Sequence, residues 1–314
     1  MHKNLPIVLV TCIRDLPMLC LQAESMKTYY NTWLPSDYKT KLYIIVNEPN
    51  ERLDHWNAHF EHISKEYERF NVTVFYRDQF AGDWNSWIPS EKNPWSVGWE
   101  TQQILKLAIA EHITAPGYFL LDSQNFLTNT WGTLMYPIID GRLPYRPANF
   151  NMPMSIWNDY CSTLKLNNIT PNEKTLNICT PLFFHTELVR SLLKTKSNLA
   201  EFSTWFRTAS NIKSEFTLYH LWAEKQGGLE KYHYQAPSWA GYFLRDNPNF
   251  SLEFNNFIES IRKIPNQSWV SINHRAWGDM TNEQYQTLKS KIKELGLFDS
   301  HFDKYRSEYV DIKI

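Results

Sequence analysis

Asp122 closes a short apolar run, Gly117-Tyr118-Phe119-Leu120-Leu121-Asp122, and is followed by Ser123, Gln124 and Asn125. A run of this kind reads as a buried strand, and open α/β sheets hold their ligands at the carboxyl edge. A carboxylate placed there can bind Mg2+ or Mn2+, which take oxygen ligands and keep substrate phosphates in their shell. Asp122 is therefore a candidate catalytic and metal-ligating residue. Ser123 offers a hydroxyl to the ion or to a ribose. Gln124 offers a neutral carbonyl oxygen, a weaker ligand than a second carboxylate. The competing reading is that a strand-end acid caps the next turn or pairs with a cation.

Other stretches carry chemistry of the same kind. Trp269-Val270 predicts a short strand, and the loop after it brings His274 and Arg275, an imidazole and a guanidinium suited to a diphosphate and a metal. In the helical pattern from Gly98, Gln102 and Lys106 are four apart and share a face, with Gln103 beside them. This helix leads into the strand that ends at Asp122. Glu215 opens an otherwise apolar helical turn after Ser214. It reads either as a partner of the helix N-terminus or as a base that takes a proton from an acceptor hydroxyl. Thr180-Pro181-Leu182-Phe183-Phe184-His185 reads as a turn and a buried apolar pair, with His185 flanking the next helix. The chain lacks Gly-x-Gly-x-x-Gly, Gly-x-x-x-x-Gly-Lys-Ser/Thr, Gly-x-Ser-x-Gly and His-Glu-x-x-His motifs, and its 10 glycines leave little room for a Gly-rich phosphate loop.

The elements that must position these residues alternate. Residues 5–12 predict a strand ending at Thr11-Cys12, before the polar loop Ile13-Arg14-Asp15. A helix follows at 17–30 and a buried strand at 41–47, ending at Asn47-Glu48-Pro49. Helical charge patterning at 51–69, a strand at 71–77, a helix at 98–113 and a strand at 117–122 complete the first half. Such alternation implies an α/β fold, a mostly parallel sheet with helices on both faces. The polar loop 80–95, with Trp84, Trp87 and Trp95, is long enough to be an active-site lid. Beyond residue 130 the alternation weakens, with a strand at 176–184 and helices at 185–196, 213–226, 252–262 and 281–294. With no internal repeat and no Gly/Ser linker, the 314 residues read as a single continuous domain.

Charge and cysteine usage narrow the class. Lys plus Arg is 32 and Asp plus Glu is 33, a balance that argues against nucleic acid as the main partner. The 13 tryptophans belong either to a large core or to a carbohydrate groove lined with flat rings. No basic-then-apolar leader opens the chain, and no apolar stretch reaches about 18 residues, so no transmembrane segment is expected. Cys12, Cys20, Cys161 and Cys179 lack Cys-x-x-Cys spacing, which suits a reducing, cytoplasmic compartment.

Taken in order, Val10–Asp15, Gly98-Trp99 with Gln102–Leu107, Leu120–Gln124, Ser214-Glu215 and His274-Arg275 resemble glycosyltransferase-like proteins of the GT-A type, the DUF6492 group. The stretch around Asp122 resembles the Asp-X-Asp signature of sugar-nucleotide glycosyltransferases, with Gln124 at the third position. The resemblance implies a GT-A-like (Rossmann-like) fold with a nucleotide-sugar-binding half at about 1–130 and an acceptor-binding half at about 131–314. It implies transfer of a sugar from a nucleotide-diphosphate donor to a glycan or other hydroxyl, assisted by Mn2+ or Mg2+. Thr11, Arg14, Asp15 and Asn47 would border the nucleotide. Gln103, Lys106, Ser123 and Arg275 would steady the donor. Asp122, Gln124 and His274 would hold the metal, and Glu215 would be the base of an inverting reaction. The rival readings are a degenerate protein that binds a nucleotide or glycan without turnover, a nucleotidyltransferase, and an interaction protein with a Trp-rich surface.

Overall fold

The computed structural model describes residues 5–30, 40–81, 84, 96–132, 136–147, 154–166, 180–208, 214–237, 239–244, 249–261, 268–273, 276 and 280–297. In chain order the first half runs β1 (Ile7–Thr11), α1 (Leu16–Tyr29), β2 (Thr40–Val46), α2 (Leu53–Ile63), β3 (Phe70–Tyr76), α3 (Ser96–Ala108), β4 (Gly117–Asp122) and β5 (Asn125–Leu127). Then come β6 (Leu143–Tyr145), α4 (Met154–Thr163), β7 (Leu182–His185), α5 (Thr186–Leu193), α6 (Leu199–Thr208) and α7 (Glu215–Lys225). The chain continues through β8 (His233–Gln235), β9 (Ala240–Leu244), α8 (Phe250–Ser260), β10 (Trp269–Ile272) and α9 (Asn282–Glu294).

The main sheet has five strands in the order β3-β2-β1-β4-β7. Its first four strands are parallel, and β7 is antiparallel to β4. β1 is Ile-Val-Leu-Val-Thr with every residue buried, as a strand covered on both faces must be. Alternate residues go to opposite layers. Val8, Val10, Tyr43, Ile45, Tyr118 and Leu120 join the apolar cluster that includes Ile104 and Leu107 of α3 and Leu218 and Leu221 of α7. Ile7, Leu9, Leu42, Ile44, Val46, Phe119 and Leu121 join the opposite cluster with Leu16, Leu19 and Ala23 of α1 and Trp56 of α2.

A second sheet, β5-β10-β9, stands beyond the end of β4. Helix α1 serves both sheets, which explains why it is apolar nearly all round. Leu16, Leu19, Cys20, Ala23 and Met26 meet the main-sheet layer, whereas Met18 and Leu21 join a third cluster with Phe126, Val270, Phe254 and Leu288. Two buried polar residues of α1 stitch the strands together. Gln22 Nε2 donates to the carbonyls of Asp122 at 2.9 Å and Asn125 at 2.7 Å, and Ser25 Oγ accepts from Leu127 N at 2.9 Å. β6 and β8 form a separate parallel pair.

Most first-half expectations are met within a residue or two. The helix expected at 98–113 ends at Ala108 and continues only as a 3-10 turn to His112. The expected 80–95 lid falls outside the described residues except for positions 80, 81 and 84. Helices α4 and α6 and strands β5, β6, β8 and β9 were not foreseen. Trp56, Trp131, Trp157, Trp239 and Trp269 are all fully buried, which favours the core over a ring-lined groove for these five. Among the described residues no helix is long and apolar enough to cross a membrane.

Candidate functional site

The strand order sets where a crevice opens. From β1 the chain winds outward through β2 and β3, then returns to place β4 on the other side of β1. Connections therefore leave the carboxyl ends of β1 and β4 in opposite directions, and ligands of open α/β sheets sit at such a reversal. The register pairs Val10 with Asp122, so the loop after Thr11 and the turn after Asp122 flank the same opening. Ser123 Oγ donates to Asp15 Oδ2 at 2.7 Å and ties the two together.

Behind Asp122 lies an ion network. Lys106, from α3, places Nζ 2.7 Å from Asp122 Oδ1 and 2.9 Å from Glu215 Oε1. The side chains of Lys106 and Glu215 are 3% and 0% exposed, and that of Asp122 is 16% exposed, so Asp122 is the member open to solvent. Gln102 Nε2 donates to the same Asp122 oxygen at 3.1 Å, and Thr180 Oγ1 donates to Oδ2 at 2.7 Å. The Asp122 N–H donates to Asn125 Oδ1 at 2.7 Å, and Asn125 Nδ2 bonds Ser271 Oγ on β10. Oδ1 and the backbone at the strand end are thus committed, whereas Oδ2 takes one bond and keeps room for another on the open side.

Two helices, a strand and a loop meet to build this cluster. Gln102 and Lys106 lie one turn apart on α3, as their spacing required. Glu215 is the first residue of α7, where the Ser214 side chain accepts from Thr217 N and caps the helix. Phe216 brings its ring centre within 5.0 Å of Lys106 Nζ, and Tyr118 OH donates to the Lys106 carbonyl at 2.8 Å. Burial pushes the Glu215 carboxyl above the ordinary carboxylate value, against the pull of Lys106. Burial works against the charge of Lys106, but the two carboxylates outweigh it and hold the ammonium above its usual value. Lys106 is therefore a fixed positive charge.

The other sequence-derived residues are placed as follows. The Thr11 carbonyl accepts from Asn47 N at 2.8 Å, which brings the ends of β1 and β2 together, and Asn47 Nδ2 donates to the Gly98 carbonyl at 2.8 Å. Asn47 Oδ1 is buried without a hydrogen-bond partner. Arg14 lies half-buried in its loop, where it hydrogen-bonds Cys12. Gln103 turns away from the cluster, donating to the Trp99 carbonyl at 3.2 Å of its own helix. Gln124 accepts through its backbone carbonyl from Ile272 N at 3.3 Å. His274 and Arg275 lie outside the described residues. The candidates brought together are Asp122, Lys106 and Glu215, with Ser123 and Asp15 beside them. Gln22, Asn125 and Thr180 were missed as members of the site, and Gln102 was noted only for sharing a face with Lys106. Gln22 and Thr180 carried no local signal, because they reach Asp122 across 100 and 58 residues of chain.

The described residues at Asp122 are gathered around an ammonium. The set read for a divalent ion is Asp122, Gln124 and His274. Of these, Asp122 already meets Lys106, Gln102 and Thr180. Among the described residues no group of three His, Cys, Asp or Glu side chains is placed to hold a metal.

Two solved structures similar to this chain are glycosyltransferases. The apo form of mouse xyloside xylosyltransferase 1 has a TM-score of 0.51 at 8% identity, covering 87% of this chain and 99% of its own. The apo structure of the WbbM bifunctional glycosyltransferase has a TM-score of 0.54 at 10% identity, covering 98% of this chain and 52% of its own. The chain therefore spans about half the length of WbbM. These are GT-A-type proteins, and the likeness gives the fold expected from the sequence, a mostly parallel α/β sheet flanked by helices. No curated protein sequence matches the chain. Residues 3–247 match a family described as a family of unknown function, DUF6492, and this protein belongs to it.

Proposed function

We propose that this protein is a glycosyltransferase that moves a sugar from a nucleotide-diphosphate donor to a hydroxyl of a glycan or other acceptor. The observation that carries the reading is a carboxylate at the reversal of strand order, Asp122, backed at 2.7 Å by the buried ammonium of Lys106. The likeness to glycosyltransferases in fold supports it.

In this reading residues 1–130 hold the donor and 131–314 the acceptor, within one continuous domain. The loop Thr11–Asp15 and Asn47 border the nucleotide, with Ser123 held by Asp15, and Arg275 serves the diphosphate. Asp122, the open member of the cluster, accepts hydrogen bonds from donor hydroxyls. As the bond from the sugar's anomeric carbon to the diphosphate oxygen breaks, negative charge gathers on the leaving diphosphate, and the guanidinium of Arg275 is the cationic side chain assigned to stabilise it. The acceptor oxygen forms the new bond to that carbon and releases its proton. Glu215 is fully buried against Lys106, a placement that favours holding the ammonium over meeting the acceptor. A cytoplasmic place suits Cys12, Cys20 and Cys161, whose thiols are not joined in disulfides.

A second reading, a protein that binds a nucleotide or glycan without turnover, is favoured by Gln124 in place of an acid. Release of nucleoside diphosphate from uridine, guanosine and adenosine diphosphate sugars separates the two. Turnover with one donor, reduced at least 100-fold in Asp122→Asn with the melting temperature kept within a few degrees, supports transfer. Binding without release selects the second reading. No binding of any nucleotide sinks both nucleotide readings and leaves only a glycan ligand.

A further inference from the structure

Asp122 is the acid that the sequence resemblance would assign to Mn2+ or Mg2+, yet a cation already stands against it. Lys106 Nζ lies 2.7 Å from Asp122 Oδ1 and 2.9 Å from Glu215 Oε1. A divalent ion bound to a carboxylate comes within about 2.0–2.6 Å of oxygen. At Oδ1 it would meet an ammonium already in contact with that oxygen, and like charges so close repel strongly where water is scarce. The other oxygen, Oδ2, already accepts from Thr180 Oγ1.

Lys106 cannot easily withdraw. The residue is 2% exposed, its carbonyl is pinned by Tyr118 OH, and Phe216 packs its ring 5.0 Å from Nζ. Leaving would strand the fully buried Glu215 carboxylate and unpair the partly open Asp122, a larger penalty than the pair gains by forming. The neighbouring Ser123 hydroxyl donates to Asp15, which ties it to the loop after β1.

We propose that Lys106 fills the cation position of this site, so that Asp122 meets the donor balanced by a fixed ammonium and not by a divalent ion. The identity of the donor rests on the glycosyl-transfer reading. The claim about the cation does not, because it can be read from metal binding alone.

The test uses the full chain and Mn2+ itself, followed by electron paramagnetic resonance of the free ion. The wild type is expected to bind no Mn2+ up to millimolar concentration. Lys106→Gln frees two carboxylates that both lay within 3 Å of one nitrogen. It is expected to gain a Mn2+ site, which Lys106→Gln/Asp122→Asn loses again. The affinity for uridine, guanosine or adenosine diphosphate, measured by calorimetry, is expected to change less than twofold between Mn2+ and EDTA. It should fall at least tenfold in Lys106→Gln and be largely kept in Lys106→Arg. A wild-type Mn2+ site that Asp122→Asn abolishes overturns the proposal, as does nucleotide affinity that rises tenfold or more with Mn2+. Should Lys106→Gln fail to fold, the wild type and Asp122→Asn still decide it. If no nucleoside diphosphate binds at all, the transfer reading falls and the Mn2+ titration judges the cation claim by itself.

Discussion

Asp122 depends on neighbours that its own sequence context does not name. Thr180 is the clearest, because its hydroxyl donates to the oxygen that Lys106 does not touch. Replacing Thr180 by Val keeps the shape and removes that hydrogen bond. Bonds to charged groups contribute about 1.5–3 kcal/mol, and somewhat less is expected here because Asp122 is partly open. Thr180→Val should therefore lower unfolding stability by about 1–2 kcal/mol in urea and cut donor turnover at least tenfold. Turnover at wild-type level would mean that the orientation of Asp122 does not matter. The sequence made Asp122, Lys106 and Glu215 visible because each stood out locally: an acid ending an apolar run, a cation on a helix face, an acid opening an apolar turn. Thr180 looked like part of a turn, and Gln103 looked as suitable as Gln102. Which of two adjacent amides faces a strand depends on the helix's rotation against the sheet, and periodicity alone does not fix that rotation.

At the scale of elements, the strand that carries Asp122 is constrained at its other end by Gly117. A Cβ on Gly117 would lie 2.3 Å from Leu143 Cδ1 and 2.7 Å from the Phe184 carbonyl oxygen. The leucine can turn aside, but the carbonyl belongs to β7, which is paired with β4. Gly117→Ala is thus expected to pry β7 from β4 and cost about 1–3 kcal/mol, the usual range for overpacking. Chemical unfolding measures this, and a stability equal to wild type would show that the edge yields freely. The longer elements were legible because their signals were long: β1, β2 and β4 are continuous apolar runs, and α9 begins with a Thr281–Gln284 capping box. The three-residue strands β5, β6 and β8 are too short to show a period. Helix α4, Met-Ser-Ile-Trp-Asn-Asp-Tyr-Cys-Ser-Thr, is built largely of residues with weak helix propensity, so packing decides its state. The antiparallel direction of β7 follows from where the chain returns, which no local pattern records.

The whole molecule responds to acid through histidines kept neutral in its interior. Burial holds His220 down to about 4 and His233 down to about 3, against 6.5 in water. In both cases the folded state resists a proton that the unfolded chain accepts. Their stabilisation is present above pH 6.5 and is lost as pH falls toward the folded values. Between pH 7 and 5 each should remove about 2 kcal/mol of unfolding free energy. His220→Leu should flatten that acid limb by about 2 kcal/mol, as read from urea unfolding at the two pH values. An unchanged slope would mean that His220 takes its proton while folded. Glu215, pushed upward by burial, contributes in the opposite sense: its share is present at low pH and declines as pH rises past its ordinary value.

The bond between Asn125 and Ser271 links residues 146 apart in the chain. Protein synthesis adds about 5–20 residues per second, so roughly 7–30 seconds pass between the emergence of these two partners. During that interval β1, β2, β3 and β4 can all pair and α1 can hold the turn after Asp122, but β5 has no β10 beside it and Asn125 lacks its Ser271 partner. A ribosome that pauses shortly before residue 271 therefore holds a chain whose main sheet can be assembled while β5 still lacks its partner. Its exposed β5 edge is a surface for a chaperone to cover until β10 arrives.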